Sequence, residues 1–210
     1  MVYGGIEKER LKLNGESLWA GNQFETYPEN FKENLNSLQD MVLAGEAAKA
    51  VAFGVENMTK RPTSFRSYEP LADLNLEFSH TGEIKDYHRD LNLVDGLATV
   101  SYQADGVRYR REVLISAVDD WVAVRLSADQ PGSINLKVGL SRQKDMTVEA
   151  TRDGLIMDGQ IIDVSKEDGG RDANRGGSGP SGAHMKFAGR LAAKTAGGTM
   201  RAEGDRLKIE

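Results

Sequence analysis

Cysteine is absent from the 210 residues. That one absence removes disulfides, cysteine-ligated zinc and thiol nucleophiles together. Histidine is scarce: His80, His88 and His184 are the three in the chain. None lies three or four residues from another, so no helical pair of metal ligands exists, and each reads as an ordinary surface or strand histidine. No metal or other cofactor is expected. Long apolar runs are missing too, and nothing approaches the roughly 18 residues that a membrane-spanning helix needs. The formal net charge of −5 disfavours a nucleic-acid partner, because phosphate-backbone binding needs clustered Lys and Arg to displace counterions. Aromatic residues are only 7% of the chain and do not gather on one strand face, which weakens the case for a sugar-binding platform. Gly-x-Ser-x-Gly does not occur. Gly169-Gly170 and Gly176-Gly177 are not followed by Lys-Ser or Lys-Thr, so neither makes a phosphate loop.

What is present is a globular composition, with 39% hydrophobic and 28% charged residues, enough for a sizeable core beneath a solvated surface. From about 28 to 60 the pattern is helical. Phe31, Leu35, Leu38, Met41 and Val42 form one stripe at helix spacing, with Pro28 before it and Gly45 after it. A second, Ala-rich segment from Glu46 to about Met58 carries Val51, Val55 and Met58 on one side, weakened by Gly54 at about 1 kcal/mol relative to Ala. The two read as a helical hairpin inserted between strands.

Beyond residue 70 the period changes to two. Leu74, Leu76 and Phe78 share a face, as do Tyr87, Arg89, Leu91 and Leu93. Val100 and Tyr102 lead into Ala104-Asp105-Gly106, and Val107, Tyr109, Arg111, Val113 and Ile115 follow it, which predicts a hairpin. Further strands are expected at Trp121–Leu126, at Ile134–Leu140 and at about 155–157, with a last hairpin around Glu203-Gly204-Asp205. Strands at this spacing, separated by glycine-bearing turns, predict a mainly β fold, an antiparallel β-sandwich with a short helical insertion. The glycine-rich, charged stretch 163–183 has too little apolar area for a core and is expected to be a flexible loop. Residues 1–210 read as a single domain, and both ends read as cuts through a longer chain.

Chemistry is harder to find. A glycosidase needs two carboxyl groups about 5–10 Å apart, and 32 Asp and Glu residues supply such pairs by chance without singling one out. Trp19 is the one candidate for carbohydrate contact. It lies in Asn14-Gly15-Glu16-Ser17-Leu18-Trp19-Ala20-Gly21, where an exposed indole would stack on a sugar ring. A ring turned inward by Gly21 would instead plug the seam between sandwich and helices, and packing is the role expected of it. Trp121, alternating with Ala123 and Arg125, is expected to pack in the sheet.

Met1–Gly5, Glu9–Asn14 and Leu18–Gly21 are similar to the opening segment of glycoside hydrolase family 95. Leu43-Ala44-Gly45, Tyr68–Leu74, Asp86–Leu91, Tyr102, Gly106–Val113, Ser116-Ala117 and Val124–Leu126 follow in that family's order. Gly15 and Ala20 depart from it, standing where an acidic residue and a serine are usual. The resemblance spans nearly the whole chain and implies the amino-terminal sandwich of a larger α-L-fucosidase-like enzyme of the super-sandwich type. It implies an α/α barrel beyond residue 210 as partner, an inverting Glu–Asp mechanism housed there, a carbohydrate substrate, and a periplasmic or extracellular address. No catalytic residue of the family maps onto this chain. The alternatives are an α-L-galactosidase-type parent, or a free-standing carbohydrate-binding or structural β-sandwich.

Overall fold

Alternation of inward apolar and outward polar residues builds most of the chain, and helical periodicity builds one insert. The computed structural model describes residues 1–19, 28, 30–58, 68–116, 118–163 and 182–210. The elements run β1 (Lys8–Trp19), α1 (Phe31–Leu43), α2 (Ala47–Asn57), β2 (Tyr68–Phe78), β3 (Lys85–Asn92), β4 (Leu97–Ala104) and β5 (Val107–Ile115). They continue with β6 (Val122–Ala128), β7 (Leu136–Ser141), β8 (Met146–Ala150), β9 (Gly154–Asp163), β10 (Gly182–Ala192), β11 (Met200–Glu203) and β12 (Arg206–Ile209). Two compact units result. One comprises Met1–Glu16, Pro70–Gly159 and Phe187–Glu210; the other comprises Ser17–Glu69 and Gln160–Lys186.

The strands, whose residues fall mainly in the first unit, form a five-stranded sheet (β1-β2-β7-β12-β11), a four-stranded sheet (β3-β4-β5-β6) and a three-stranded sheet (β10-β9-β8). Strands β2 and β7, β7 and β12, β11 and β12, β3 to β6 in sequence, and β8 and β9 pair antiparallel, as in the pairing of Leu74 with Leu140 and Leu76 with Val138. A shared core holds the sheets together. Leu74, Leu76, Leu136, Val138 and Leu207 come from the first sheet, Val113 from the second, Leu155 and Met157 from the third. Burying such side chains contributes about 1.5–3 kcal/mol each against a solvated reference. The fold is therefore the mainly β, antiparallel sandwich expected from the alternation.

The turn at Asp105-Gly106 illustrates how locally the register is set. Ala104 pairs with Val107, leaving a two-residue loop in which Asp105 has φ 52° and Gly106 φ 78°. Two successive positive φ values match the right-handed twist of the flanking strands, and Asp-Gly tolerates them. Strand β3 differs from expectation. Tyr87 and Arg89 do turn to the protein, but Leu91 is 57% exposed and Leu93, beyond the strand end, 84%. A register shift between Lys85 and His88, with Asp86 at φ 51°, re-aims this edge strand.

In the second unit α1 and α2 pair within the span read as helical. The contact face of α2 is not the one expected. Val51 and Val55 are exposed, while Ala50 is buried and Gly54 faces Leu38, whose Cδ1 would lie 3.0 Å from a Cβ at that glycine. The Asn34 side chain donates to the Asn57 carbonyl at 3.0 Å. Close helix approach over a small residue explains Gly54 better than helix propensity does. Of the stretch 163–183, Asp163 ends β9 and Gly182-Ala183 open β10; residues 164–181 lie outside the described residues, and so does the expected flexible loop.

Candidate functional site

Strand β1 carries Glu9, Leu11 and Leu13 at alternating positions, which puts a carboxylate on the inward face. Strand β5 does the same with a cation, because Arg111 shares its face with Val107 and Val113. Among the described residues Glu9 and Arg111 are the buried charged side chains, 1% and 2% exposed. They meet in the first unit, Arg111 Nη1 lying 3.4 Å from Glu9 Oε2. The other guanidinium arm donates to the Gly5 carbonyl at 2.7 Å, and the group lies 5.3 Å from the Phe78 ring. Burial pulls the Arg111 pKa down and Glu9 opposes that pull; a guanidinium nonetheless stays charged.

The carboxylate is held chiefly by backbone donors. Glu9 Oε1 accepts from the backbone N–H groups of Tyr3 at 3.1 Å, Gly4 at 3.0 Å and Arg10 at 3.0 Å. Its Oε2 accepts from Gly4 at 3.0 Å. From β3, the Tyr87 hydroxyl donates to the Gly4 carbonyl at 2.8 Å, and Arg89 donates to the Tyr3 carbonyl at 2.9 Å. The Tyr3-Gly4-Gly5 segment is thereby clasped through both its donors and its acceptors. The paired glycines are explained by this crowding. Gly4 has φ +77°, and a Cβ there would lie 2.8 Å from Arg89 Cδ and 2.9 Å from the Tyr87 hydroxyl. A Cβ at Gly5 would run into the Lys8 carbonyl. A buried carboxylate held by backbone N–H groups and a buried guanidinium suits fastening the chain rather than reacting.

Beside it lies an aromatic cluster. His80 stacks on Phe78 with ring centroids 5.4 Å apart, and its Nε2 shares a 2.6 Å hydrogen bond with the Tyr102 hydroxyl. Tyr109 stands 4.4 Å from the His80 ring and donates to the Ser133 carbonyl. Burial pushes the Tyr102 phenol up to about 12, so it keeps its proton. Burial also lowers the His80 pKa, with Asp105 opposing and Arg111 reinforcing. This histidine is a packed, hydrogen-bonded member of the interior edge; His88 is exposed and His184 partly buried.

Trp19 stands at the end of β1, in the second unit, and is 41% exposed, whereas Leu18 beside it is 3% exposed. The buried residue of the pair is the leucine; the indole is not sealed as a core plug. Its ring meets Tyr68 edge-on, centroids 5.3 Å apart at 78°, and Tyr68 is itself 40% exposed. Trp121, expected to pack, precedes β6 and is 45% exposed, because the odd positions of that strand face away from the core.

Among the described residues no group of three or more His, Cys, Asp or Glu side chains is placed to hold a metal. The carboxylates with displaced pKa values, Glu203 and Glu210, are held down, chiefly by side-chain hydrogen bonds from Lys137 and Lys208. A glycosidic general acid needs the opposite shift. No described helix is long and apolar enough to cross a membrane.

The sequence finds its counterpart in a known family. All of residues 1–210 match the family described as glycosyl hydrolase family 65, N-terminal domain. The chain belongs to that family. This glycosyl hydrolase N-terminal domain is 29% identical over 145 residues to "Alpha-L-fucosidase 2" of Arabidopsis thaliana, a match covering 68% of the chain and 17% of the relative. It is 27% identical over 132 residues to "Probable alpha-fucosidase A" of Aspergillus niger, covering 61% of the chain and 16% of that relative. The matched part of the chain thus spans about a sixth of the length of these curated relatives. It resembles the amino-terminal part of an α-L-fucosidase-like glycoside hydrolase, as the motif order from Met1–Gly5 to Val124–Leu126 implies.

Proposed function

We propose that residues 1–210 act as one non-catalytic, accessory domain of an α-L-fucosidase whose acid–base pair resides in a catalytic barrel outside these residues. The observation that carries this reading is the state of Glu9. It is the buried carboxylate among the described residues, and it is consumed by backbone N–H groups and Arg111. Hydrolysis of a glycosidic bond needs a protonated carboxylic acid and a second carboxylate flanking the bond, and the engagement of Glu9 with backbone donors and a guanidinium supports its being neither. The similarity to fucosidases supports removal of terminal α-L-fucosyl groups as the parent's reaction, with inversion implied by resemblance to family 95. An α-L-galactosidase is the nearest alternative. The exposed apolar side chains Val51 and Val55 of α2 support a role in packing against the rest of the enzyme. The test is hydrolysis of an aryl α-L-fucoside by the purified chain and by the full-length protein. Turnover is expected from the latter alone. Turnover by the chain, abolished by replacing one of its carboxylates, would overturn the accessory role.

A second reading is favoured by the Trp19–Tyr68 pair. Trp19 and Tyr68 are both partly exposed and meet edge-to-face, and exposed aromatic rings are the kind of surface that packs on the apolar side of a sugar ring. In this reading Trp19 lines the rim of the parent's substrate cleft. Trp19→Ala in the full-length enzyme then raises KM for an oligosaccharide while leaving that for a small aryl fucoside unchanged. Equal KM values for both substrates before and after the substitution would exclude it.

A further inference from the structure

Among the described residues, the sandwich of the first unit has an unfinished wall. Between the edge of the four-stranded sheet and the face of the five-stranded sheet lies a cleft of about 570 Å³, with Leu76 and Val138 on one side and Val122, Val124, Leu126 and Ala128 of β6 on the other. Protein interiors pack with few voids larger than a water molecule, so a gap of this size, walled on both sheets by apolar side chains, is one that the described residues do not fill.

The wall is unfinished in its hydrogen bonds as well. Strand β6 pairs with β5 in an antiparallel register that sets Ser127 against Arg110, Arg125 against Glu112 and Ala123 against Leu114. Ser116 N–H donates to the Trp121 carbonyl, and Asp129 N–H donates to the Arg108 carbonyl. The odd-numbered residues of β6 therefore turn their N–H and C=O groups toward β5. The even-numbered residues, Val122, Val124, Leu126 and Ala128, turn theirs to the other side, where no described strand pairs with them. The same four residues line the cleft. A lasting solvent-facing edge is normally blunted by proline, a bulge or several charges. Val122-Ala-Val-Arg-Leu-Ser-Ala128 has one charge, no proline, and an uninterrupted register with β5. Its composition suits an inner strand.

We propose that β6 is an inner strand of the complete protein, and that an extended segment of the same polypeptide, from the part following Glu210, pairs with its even-numbered edge and fills the cleft with an alternating row of apolar side chains. Strand addition of this kind couples main-chain hydrogen bonds to pockets for every second side chain. The occupant is assigned to the same chain on two grounds. This is the amino-terminal domain of a glycosyl hydrolase family, and the relatives it matches are about four times as long as these 210 residues. The end of β12 also runs into this cleft, Ile209 and Glu210 being among its lining residues. The proposal rests on the reading of the chain as one domain of a longer enzyme, and it does not depend on which sugar that enzyme cleaves.

Residue-resolved hydrogen exchange on the full-length protein provides the test, with the β5-facing amides of Ala123, Arg125 and Ser127 as internal reference. The amides of Val122, Val124, Leu126 and Ala128 are expected to exchange within about tenfold of that reference. Exchange of the even-numbered amides at least about a hundredfold faster would overturn the proposal. A photoreactive phenylalanine analogue in place of Ala128 identifies the occupant. The expected cross-linked peptide derives from sequence beyond Glu210 in the same chain. A cross-link between isotopically labelled and unlabelled copies, or one confined to residues 1–210, would overturn the assignment. Hydrolysis of an aryl α-L-fucoside, read on the same preparation, separates the two claims: an inactive protein with a protected β6 edge counts against the fucosidase reading and supports this one.

Discussion

The two ends of β1 carry the residues of greatest chemical promise, and they have opposite fates. Near its start, Glu9 is 1% exposed; at its end, Trp19 is 41% exposed. Glu9 is a carboxylate of the kind that performs acid–base catalysis, yet it is buried against backbone N–H groups and Arg111. Trp19 is of the kind that usually fills a core, yet it presents its ring to solvent beside Tyr68. Burial marks a residue as structural when its polar atoms are all matched. Exposure of a large aromatic beside another is the more informative departure.

The largest effect expected from breaking this contrast is at Glu9. Glu9→Ala leaves Arg111 charged and buried without its partner, and should cost about 3–5 kcal/mol in denaturant melts. Replacing both, as Glu9→Leu with Arg111→Met, should cost less than the single change, because the desolvation of both ions disappears with them. A double variant as unstable as the sum of the two singles would mean that the clasp of Tyr3-Gly4-Gly5 matters more than the charges. Trp19→Ala should cost about 1–2 kcal/mol, below the roughly 3–5 kcal/mol of a sealed aromatic. A larger loss would erase the contrast and restore the packing role.

The smallest expected effect is a pH slope from His80. Its folded-state pKa is lowered by burial, so the unfolded chain, with a value near ~6.5, takes up the proton first as pH falls. His80's contribution is complete above about pH 6.5 and is lost as pH drops from there toward the lowered folded value. His80→Phe should flatten that part of the stability–pH curve while keeping the stack on Phe78. An unchanged slope would place the titration elsewhere.

Local signals carried much of this fold and little of the site. The Asp105-Gly106 hairpin and the two helices were readable because their determinants lie within a few residues: a turn that accepts positive φ, an apolar stripe, a glycine at the helix end. The face of α2 was misread, since Val51 and Val55 outrank Ala50 and Gly54 in hydrophobicity, while close helix packing selects small residues. Strands β8 and β10 were not anticipated, being short or interrupted by charge and glycine. The Glu9–Arg111 clasp was missed although alternation places both charges on inward faces. Their meeting joins segments far apart in sequence, Arg111 reaching Gly5 across 106 positions, and no local pattern announces such a partner. The similarity to family 95 had already marked Met1–Gly5, Glu9 and Gly106–Val113 as a set, and the clasp supplies a physical reason for their joint occurrence.

The account rests on Glu9 being a fastening residue and not a reacting one. The most direct measurement is Glu9→Gln in the full-length enzyme, with thermal melting and kcat for an aryl α-L-fucoside recorded on the same sample below its Tm. The amide keeps the shape and removes the charge opposite Arg111, so Tm should fall by several degrees while kcat stays within about twofold. An unchanged Tm with kcat reduced a hundredfold or more would contradict the account, and would make this carboxylate part of the catalytic machinery.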